Sequence, residues 1–260
     1  MSLLVEVLGS GTSSGVPMIG CKCAVCQSGD QRDTRLRSSI LLSTAQATVV
    51  IDTTPDFRYQ MLRSAVDQLD AVVFTHEHKD HMAGLDDIRA YNFIHQRPMP
   101  VYANASTGEA LKRDFHYAFN EKKYPGVPEL DLHIIDNAPF QVADIPFTPI
   151  QVKHLHMGVT GYRIGDFTYI TDANFIEDAE LEKIRGSRVL IINALRKEKH
   201  ISHFTLQEAI DLAAQLNIPQ TYFTHISHQM GLHEEVDAEL PRGMALAYDG
   251  LSFSVDFPAK

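Results

Sequence analysis

The chain has little cysteine: three residues in 260, all inside Cys21-Lys22-Cys23-Ala24-Val25-Cys26. That rules out a disulfide framework spread through the fold, and three clustered thiols in a reducing compartment read instead as metal ligands. Long apolar runs are also missing. No segment stays apolar for the roughly 20 residues a bilayer-spanning helix needs, so no membrane partner is expected. The amino terminus, Met1-Ser2-Leu3-Leu4-Val5-Glu6, lacks a basic stretch and meets Glu6 too early for a secretory signal, which points to a cytoplasmic protein. Positive charge is in short supply: 23 Lys and Arg face 33 Asp and Glu, a net charge of −10. Such a field repels polyanions and makes nucleic acid an unexpected partner. A small phosphorylated substrate stays open, because bound cations add positive charge that the formal count omits. Low-complexity tracts and long linkers are absent as well, so residues 1–260 are expected to form a single domain.

What the sequence does contain is histidine, most tellingly in His76-Glu77-His78-Lys79-Asp80-His81, directly after the apolar run Ala71-Val72-Val73-Phe74-Thr75. A short run rich in β-branched and aromatic residues reads as a buried strand. Four metal-capable side chains then sit in the loop at its carboxyl end, the edge where α/β sheets hold ligands. Imidazoles two residues apart in an extended or turning segment point to one side, while Asp80 and His81 lie a turn further on. His76 and His78 therefore suit one ion and Asp80 and His81 a neighbour, with donors appropriate to zinc, manganese or iron. A solvated polar loop is the plain alternative, and three histidines plus an aspartate in six residues argue against it.

Around this run the sequence predicts strands at 3–8, 38–44 and 47–52. A helix follows over 56–70, with Phe57, Met61, Leu62, Ala65, Val66 and Leu69 on its packed face, before the strand 71–75. Helices over 83–95 and 106–118 flank a strand at 101–103, and residues 122–131, with Pro125, Gly126 and Pro128, read as a connection. Strands at 131–135, 145–153, 160–165 and 167–171 form a mostly antiparallel run. Beyond it come a helix from about 175, a strand at 189–193, a helix over 205–216 and a strand at 221–224. Gly9-Ser10-Gly11-Thr12-Ser13-Ser14-Gly15 reads as a flexible loop able to bring backbone amides to an anion. The two halves look like two sheets sharing one core, each covered by helices, an α/β fold.

Later side chains repeat the pattern of a strand followed by a ligand. His154 follows 145–153, Asp172 follows Tyr169-Ile170-Thr171, and His225 follows Tyr222-Phe223-Thr224. With the first cluster, these residues resemble the metallo-β-lactamase superfamily, whose signature His76-x-His78-x-Asp80-His81 matches. The resemblance implies a four-layered αβ/βα sandwich with a binuclear metal site along one edge, holding zinc or manganese. It implies His76, His78 and His154 on one divalent ion, Asp80, His81 and His225 on the other, and Asp172 bridging them. His156 is a rival to His154, whose offset from Gly161-Tyr162-Arg163 looks more like that of the family ligand.

A tetrahedral site on Cys21, Cys23 and Cys26 needs a fourth donor, and His228, three residues after His225, is the candidate. A redox-active or merely reduced cysteine cluster is the plain alternative. This combination is similar to one branch of the superfamily, the phosphodiesterases of bacterial phosphonate breakdown, related to the tRNA 3′-processing nucleases. The similarity covers most of the chain and includes Gly9-x-Gly11-Thr12, Arg37-Ser38-Ser39, Gly161-Tyr162-Arg163-Ile164-Gly165 and Ala247-Tyr248-Asp249-Gly250. It implies a structural zinc on Cys21, Cys23, Cys26 and His228.

His203, in Ser202-His203-Phe204-Thr205-Leu206, resembles the histidine that this branch sets over the scissile phosphate. It would act as general acid, with Asp80 orienting a metal-bridging hydroxide that attacks phosphorus in line. A helix-capping neighbour is the plain reading of His203. Arg37 stays outside the catalytic set, because arginines more often lie on solvated surfaces. His95, His116, His133, His200 and His233 have no partner pattern and read as structural or surface residues. The implied function is hydrolysis of a small cyclic or activated phosphodiester, by a chain for which the resemblance also suggests a homodimer. Its rivals are a lactone or thioester hydrolase, a tRNA 3′-processing endonuclease, and a non-catalytic metal-stabilised module.

Overall fold

Successive side chains of a strand point to opposite faces, so Ile40, Leu42, Val49 and Ile51 enter one apolar cluster while Leu41 and Val50 enter another. Strands buried on both faces need a layer on each side. The computed structural model describes residues 2–120 and 124–257, so Lys122 and Lys123 of the expected connection lie outside the described residues. Seven strands form the first sheet, in the order Ser252–Asp256, Ser2–Gly9, Ser39–Ser43, Thr48–Ile51, Ala71–Val73, Met99–Ala103, Leu130–Ile134. Neighbours are antiparallel as far as Thr48–Ile51 and parallel beyond it.

The second sheet repeats this plan in the order Phe175–Ile176, Ile145–His154, Met157–Ile164, Phe167–Ile170, Val189–Asn193, Gln220–Thr224, Met244–Leu246, with Phe140–Val142 beside Ile145–His154. It is antiparallel up to Phe167–Ile170 and parallel from there on. Val5, Val7, Ile51 and Val73 of the first sheet meet Phe147, Tyr162, Tyr169 and Ile191 of the second in a shared core. Val50, Val72 and Phe74 face outward onto helical Phe57, Met61 and Leu111. Ile170, Leu190 and Ile192 face Leu181, Leu206, Ala209 and Ala213 on the opposite side. The result is helix, sheet, sheet, helix. A fully buried side chain such as Phe74 or Phe147 contributes about 1.5–3 kcal/mol by leaving water.

Several expectations are corrected. The helix expected over 56–70 stops at Arg63, because Ala65 takes a left-handed φ of 48°, and Leu62 is 63% exposed rather than packed. The 83–95 helix begins as a 3-10 turn, Leu85–Ile88, before Arg89–His95, and the 106–118 helix breaks at Phe115 into Ala105–Asp114 and His116–Phe119. Leu130–Ile134 extends the first sheet in parallel instead of joining an antiparallel run. Phe175–Ile176 pairs with Lys153 and Val152, which delays the next helix to Asp178–Ile184. The strands Phe140–Val142, Met244–Leu246 and Ser252–Asp256 and the helix His233–Glu239 are additional to the elements expected.

Four amides of the glycine loop have partners within the protein. The amides of Ser10, Gly11, Thr12 and Gly15 donate to Asp249, Leu36, Ile226 and Thr12, so they are committed within the protein rather than open to an anion. Gly9 is glycine because a Cβ there would lie 1.9 Å from the Arg37 carbonyl oxygen.

Candidate metal centre

The parallel halves of both sheets end at one edge, where three strand-end residues leave the sheet through left-handed turns: Asp52 at φ 66°, Asp172 at 52° and His225 at 57°. Non-glycine residues held there are uncommon and cluster at functional sites. Asp172 lies at the centre. Its Oδ1 is 2.9 Å from His225 Nδ1 and accepts from the Thr171 hydroxyl at 2.7 Å. Its Oδ2 is 3.5 Å from His76 Nε2 and 3.4 Å from His81 Nε2. Asp80, on the short helix Lys79–Met82, brings its Oδ2 to 3.3 Å from His81 Nε2. Asp80, His81, Asp172 and His225 each offer a ligand atom within 4.8 Å of the others, as do His76, His78 and Asp172, and also His154, Asp172 and His203.

Protein groups occupy the outward nitrogens of these imidazoles. His81 Nδ1 donates to Asp52 Oδ2 at 2.7 Å. Thr75 gives its hydroxyl to the same oxygen at 2.7 Å, so its lone pair receives His76 Nδ1 at 2.9 Å. His154 Nδ1 donates to the Ser202 carbonyl at 2.7 Å, and His225 Nε2 lies 3.2 Å from the Thr12 hydroxyl. In the neutral form of His76, His81 and His154 that hydrogen-bond pattern leaves the inward nitrogen with its lone pair. His76 Nε2, His81 Nε2 and His225 Nδ1 are buried and have no hydrogen-bond partner among the described residues. Buried polar atoms are rarely left so, and convergent nitrogen and carboxylate donors are what a divalent cation completes. The donor set fits a metal.

The electrostatics agree with this geometry. Burial raises Asp172, but His225 and His81 outweigh it and hold its pKa well below the usual carboxylate range. Asp80 is lowered too, burial being outweighed by His81. Burial lowers His81, yet Asp172, Asp80 and Asp52 hold it well above the ordinary imidazole value, whereas burial pushes His76 and His154 down.

His154 rather than His156 enters the cluster, its ring 5.2 Å from that of His78, while His156 stays exposed at the hairpin turn. His203 stacks on His225 at 4.9 Å and lies 4.5 Å from the tilted ring of His154, and burial together with His225 pushes its pKa down to about 3. Burial and the neighbouring imidazole thus favour the neutral form of the ring expected to act as general acid. Arg37 binds Asp56 at 3.0 Å and donates to the Ser13 carbonyl at 3.1 Å. Sequence reasoning missed Asp52, which braces both sets of histidines; its position at a strand end was the available signal. His200, read as a structural or surface residue, lies 5.2 Å from the His203 ring, and His233, read the same way, is buried with its Nδ1 3.0 Å from Arg35.

Cys21, Cys23, Cys26 and His228 form a second, half-exposed group, with His228 Nδ1 3.5 and 3.4 Å from the sulfurs of Cys21 and Cys23. The Cys26 amide holds Cys23 down to about 6, helped by His228, while burial raises Cys26 to about 11. Three thiols and an imidazole suit zinc.

A β-lactamase superfamily domain matches residues 47–226, and the chain belongs to that superfamily, with its metallo-hydrolase fold. A structure described as a new diphosphatase from the PhnP family has a TM-score of 0.92 at 42% identity, covering 98% of each chain. An octanoyltransferase of Porphyromonas gingivalis (strain ATCC BAA-308 / W83) is 42% identical over 253 residues, 96% of this chain and 51% of that protein. The chain thus spans about half the length of the curated relative it matches. Zn(2+)-bound PqqB from Methylobacterium extorquens shares the fold at 21% identity and a TM-score of 0.77, over 96% of this chain and 99% of that one.

Proposed function

We propose that the protein is a metal-dependent hydrolase acting at phosphorus in a small cyclic or activated phosphodiester. The observation that carries this reading is Asp172, whose Oδ2 faces His76 of one histidine set and His81 of the other while its Oδ1 faces His225, with His203 beside them. His76, His78 and His154 would hold one divalent ion, Asp80, His81 and His225 the other, and Asp172 both, with zinc or manganese as the metals. Such a pair supplies Lewis acidity and a nucleophilic oxygen near neutral pH. Asp80, with one carboxylate oxygen left over from His81, would orient the attacking group, and His203 would donate a hydrogen bond to the departing oxygen. An anionic substrate against the His203 ring favours its charged form, which is how a group held down to about 3 could come to deliver a proton. Similarity to a PhnP-family diphosphatase supports phosphorus as the target. Cys21, Cys23, Cys26 and His228 would hold a structural zinc.

A second reading, attack on an acyl ester or thioester, is favoured by the name of the P. gingivalis relative, though half of that protein lies outside the match. Purified protein loaded with zinc or manganese separates the two when offered bis(p-nitrophenyl) phosphate, a diphosphate, an octanoyl thioester and a lactone. Turnover of the phosphorus compounds, lost in His203→Ala, is the expected result. Turnover of thioester or lactone alone would overturn the assignment, and no turnover of any would favour a metal-stabilised module. We propose a small substrate, a single domain and a homodimer. Nucleic acid and membrane are not proposed partners, and among the described residues no helix is long and apolar enough to cross a bilayer.

A further inference from the structure

Leu155, directly after His154, adopts a left-handed φ of 59°, which a bulky side chain holds only when its surroundings insist. Its amide donates to Asn174 Oδ1 at 2.8 Å. The other end of the same amide group, Asn174 Nδ2, donates to the Ile201 carbonyl at 3.2 Å, and the Asn174 backbone amide donates to the Lys153 carbonyl at 2.9 Å. Ile201 precedes Ser202, whose carbonyl takes His154 Nδ1, and stands two residues before His203. Asn174 itself stands two residues after Asp172. One short side chain therefore ties together the segments that carry Asp172, His154 and His203. Asparagine suits the task because it offers an acceptor and a donor on a short stem, where aspartate lacks the donor and alanine lacks both.

We propose that Asn174 is a positioning residue that aligns His154 and His203 with Asp172. The acceptor arm stabilises the left-handed hairpin turn that aims His154, and the donor arm holds the loop that presents His203. The assignment rests on the reading of the histidine cluster as a metal centre.

Zinc affinity of the histidine cluster, measured by competition with a chromophoric chelator, and kcat on bis(p-nitrophenyl) phosphate test the two arms separately. Asn174→Ala should weaken zinc binding roughly tenfold, the usual cost of losing a group that orients a ligand, and should lower kcat. Adding Leu155→Gly to that variant should restore zinc affinity but not kcat, because glycine accepts the positive φ unaided. Asn174→Asp keeps the acceptor, so zinc affinity should stay within about twofold of the parent while kcat falls. Parent-like zinc affinity and kcat in Asn174→Ala would overturn the assignment, as would a loss of affinity that Leu155→Gly leaves unchanged. A parent chain that binds no zinc at the histidine cluster would sink the metal-centre reading and this assignment with it, whereas parent-like variants would sink the assignment alone.

Discussion

In the histidine–carboxylate cluster the protein braces four imidazoles from behind: His81 by Asp52, His76 by Thr75, His154 by Ser202 and His225 by Thr12. The cysteine cluster has another construction. Cys21 and Cys23 share His228 Nδ1, Cys23 accepts from the Cys26 amide, and Cys26 accepts from the Met18 amide, all in a half-exposed loop. The first cluster is held in shape by strand ends and buried hydrogen bonds, so its geometry belongs to the fold. The shape of the second depends on the groups that would bind the ion, and neighbouring thiolates repel until a cation neutralises them.

The largest expected effect lies at the residue common to both halves of the braced cluster. Asp172→Ala should lower kcat/KM by roughly 10³-fold, equivalent to several kcal/mol of lost metal-borne stabilisation, and should reduce the metal bound per chain by elemental analysis. Metal content and turnover equal to the parent would break the proposed division of ligands. His203→Ala should lower kcat by about 10²-fold with metal content unchanged, which separates a catalytic neighbour from a ligand. A parallel loss of metal would instead make His203 part of the coordination set.

Asp52→Asn tests the bracing itself. Its predicted cost is about 10–100-fold in metal affinity at the histidine cluster, with the cysteine cluster untouched, measured by chelator competition. Unchanged affinity would remove the contrast between the clusters. Cys23→Ser should release one zinc per chain and lower the melting temperature while changing kcat less than about twofold, because the cysteine loop is expected to contribute stability rather than chemistry.

The smallest effect is the pH dependence of the metal-free protein. His76, His154, His203 and His233 are all lowered by burial, the last two to about 3 and about 4. The unfolded chain therefore binds more protons between the ordinary imidazole value and those lower ones, and stability falls as pH drops through that window. His81, raised, opposes this, adding stability below the ordinary imidazole value that is lost as pH rises through its folded value. Asp172 and Asp80, lowered, add stability above the ordinary carboxylate range and lose it in stronger acid. Five lowered histidines, His200 among them, against one raised predict a melting temperature in chelator that declines from pH 7 toward pH 4. A flat or rising profile would mean that His81 and its carboxylates dominate.

The order of the strands around Ala71–Thr75 and the ligand-rich loop after it were legible because alternation and spacing are local. The ends of helices were less so. Ala65, with no glycine or proline to announce it, stops the first helix by turning left-handed, and Leu130–Ile134 pairs with a strand some thirty residues earlier that local pattern does not specify. Of the site, the sequence supplied His76, His78, Asp80, His81, Asp172 and His225 through their positions after strands, and His203 through its resemblance to a family histidine placed before a helix. The choice of His154 over His156 waited on a hairpin turn.

By itself the amino-acid sequence determined that two strand-rich halves would share a core and that metal-capable residues would gather at strand ends, because side-chain periodicity and short motifs are properties of neighbouring residues. Only the tertiary structure decided that Asp172 stands between two histidine sets, that Asp52 and Asn174 hold those sets in place, and that the glycine loop spends its amides on Asp249, Leu36, Ile226 and Thr12. Those contacts join residues from both sheets, and they depend on register and on left-handed turns at Asp52, Leu155, Asp172 and His225 that no local pattern encodes.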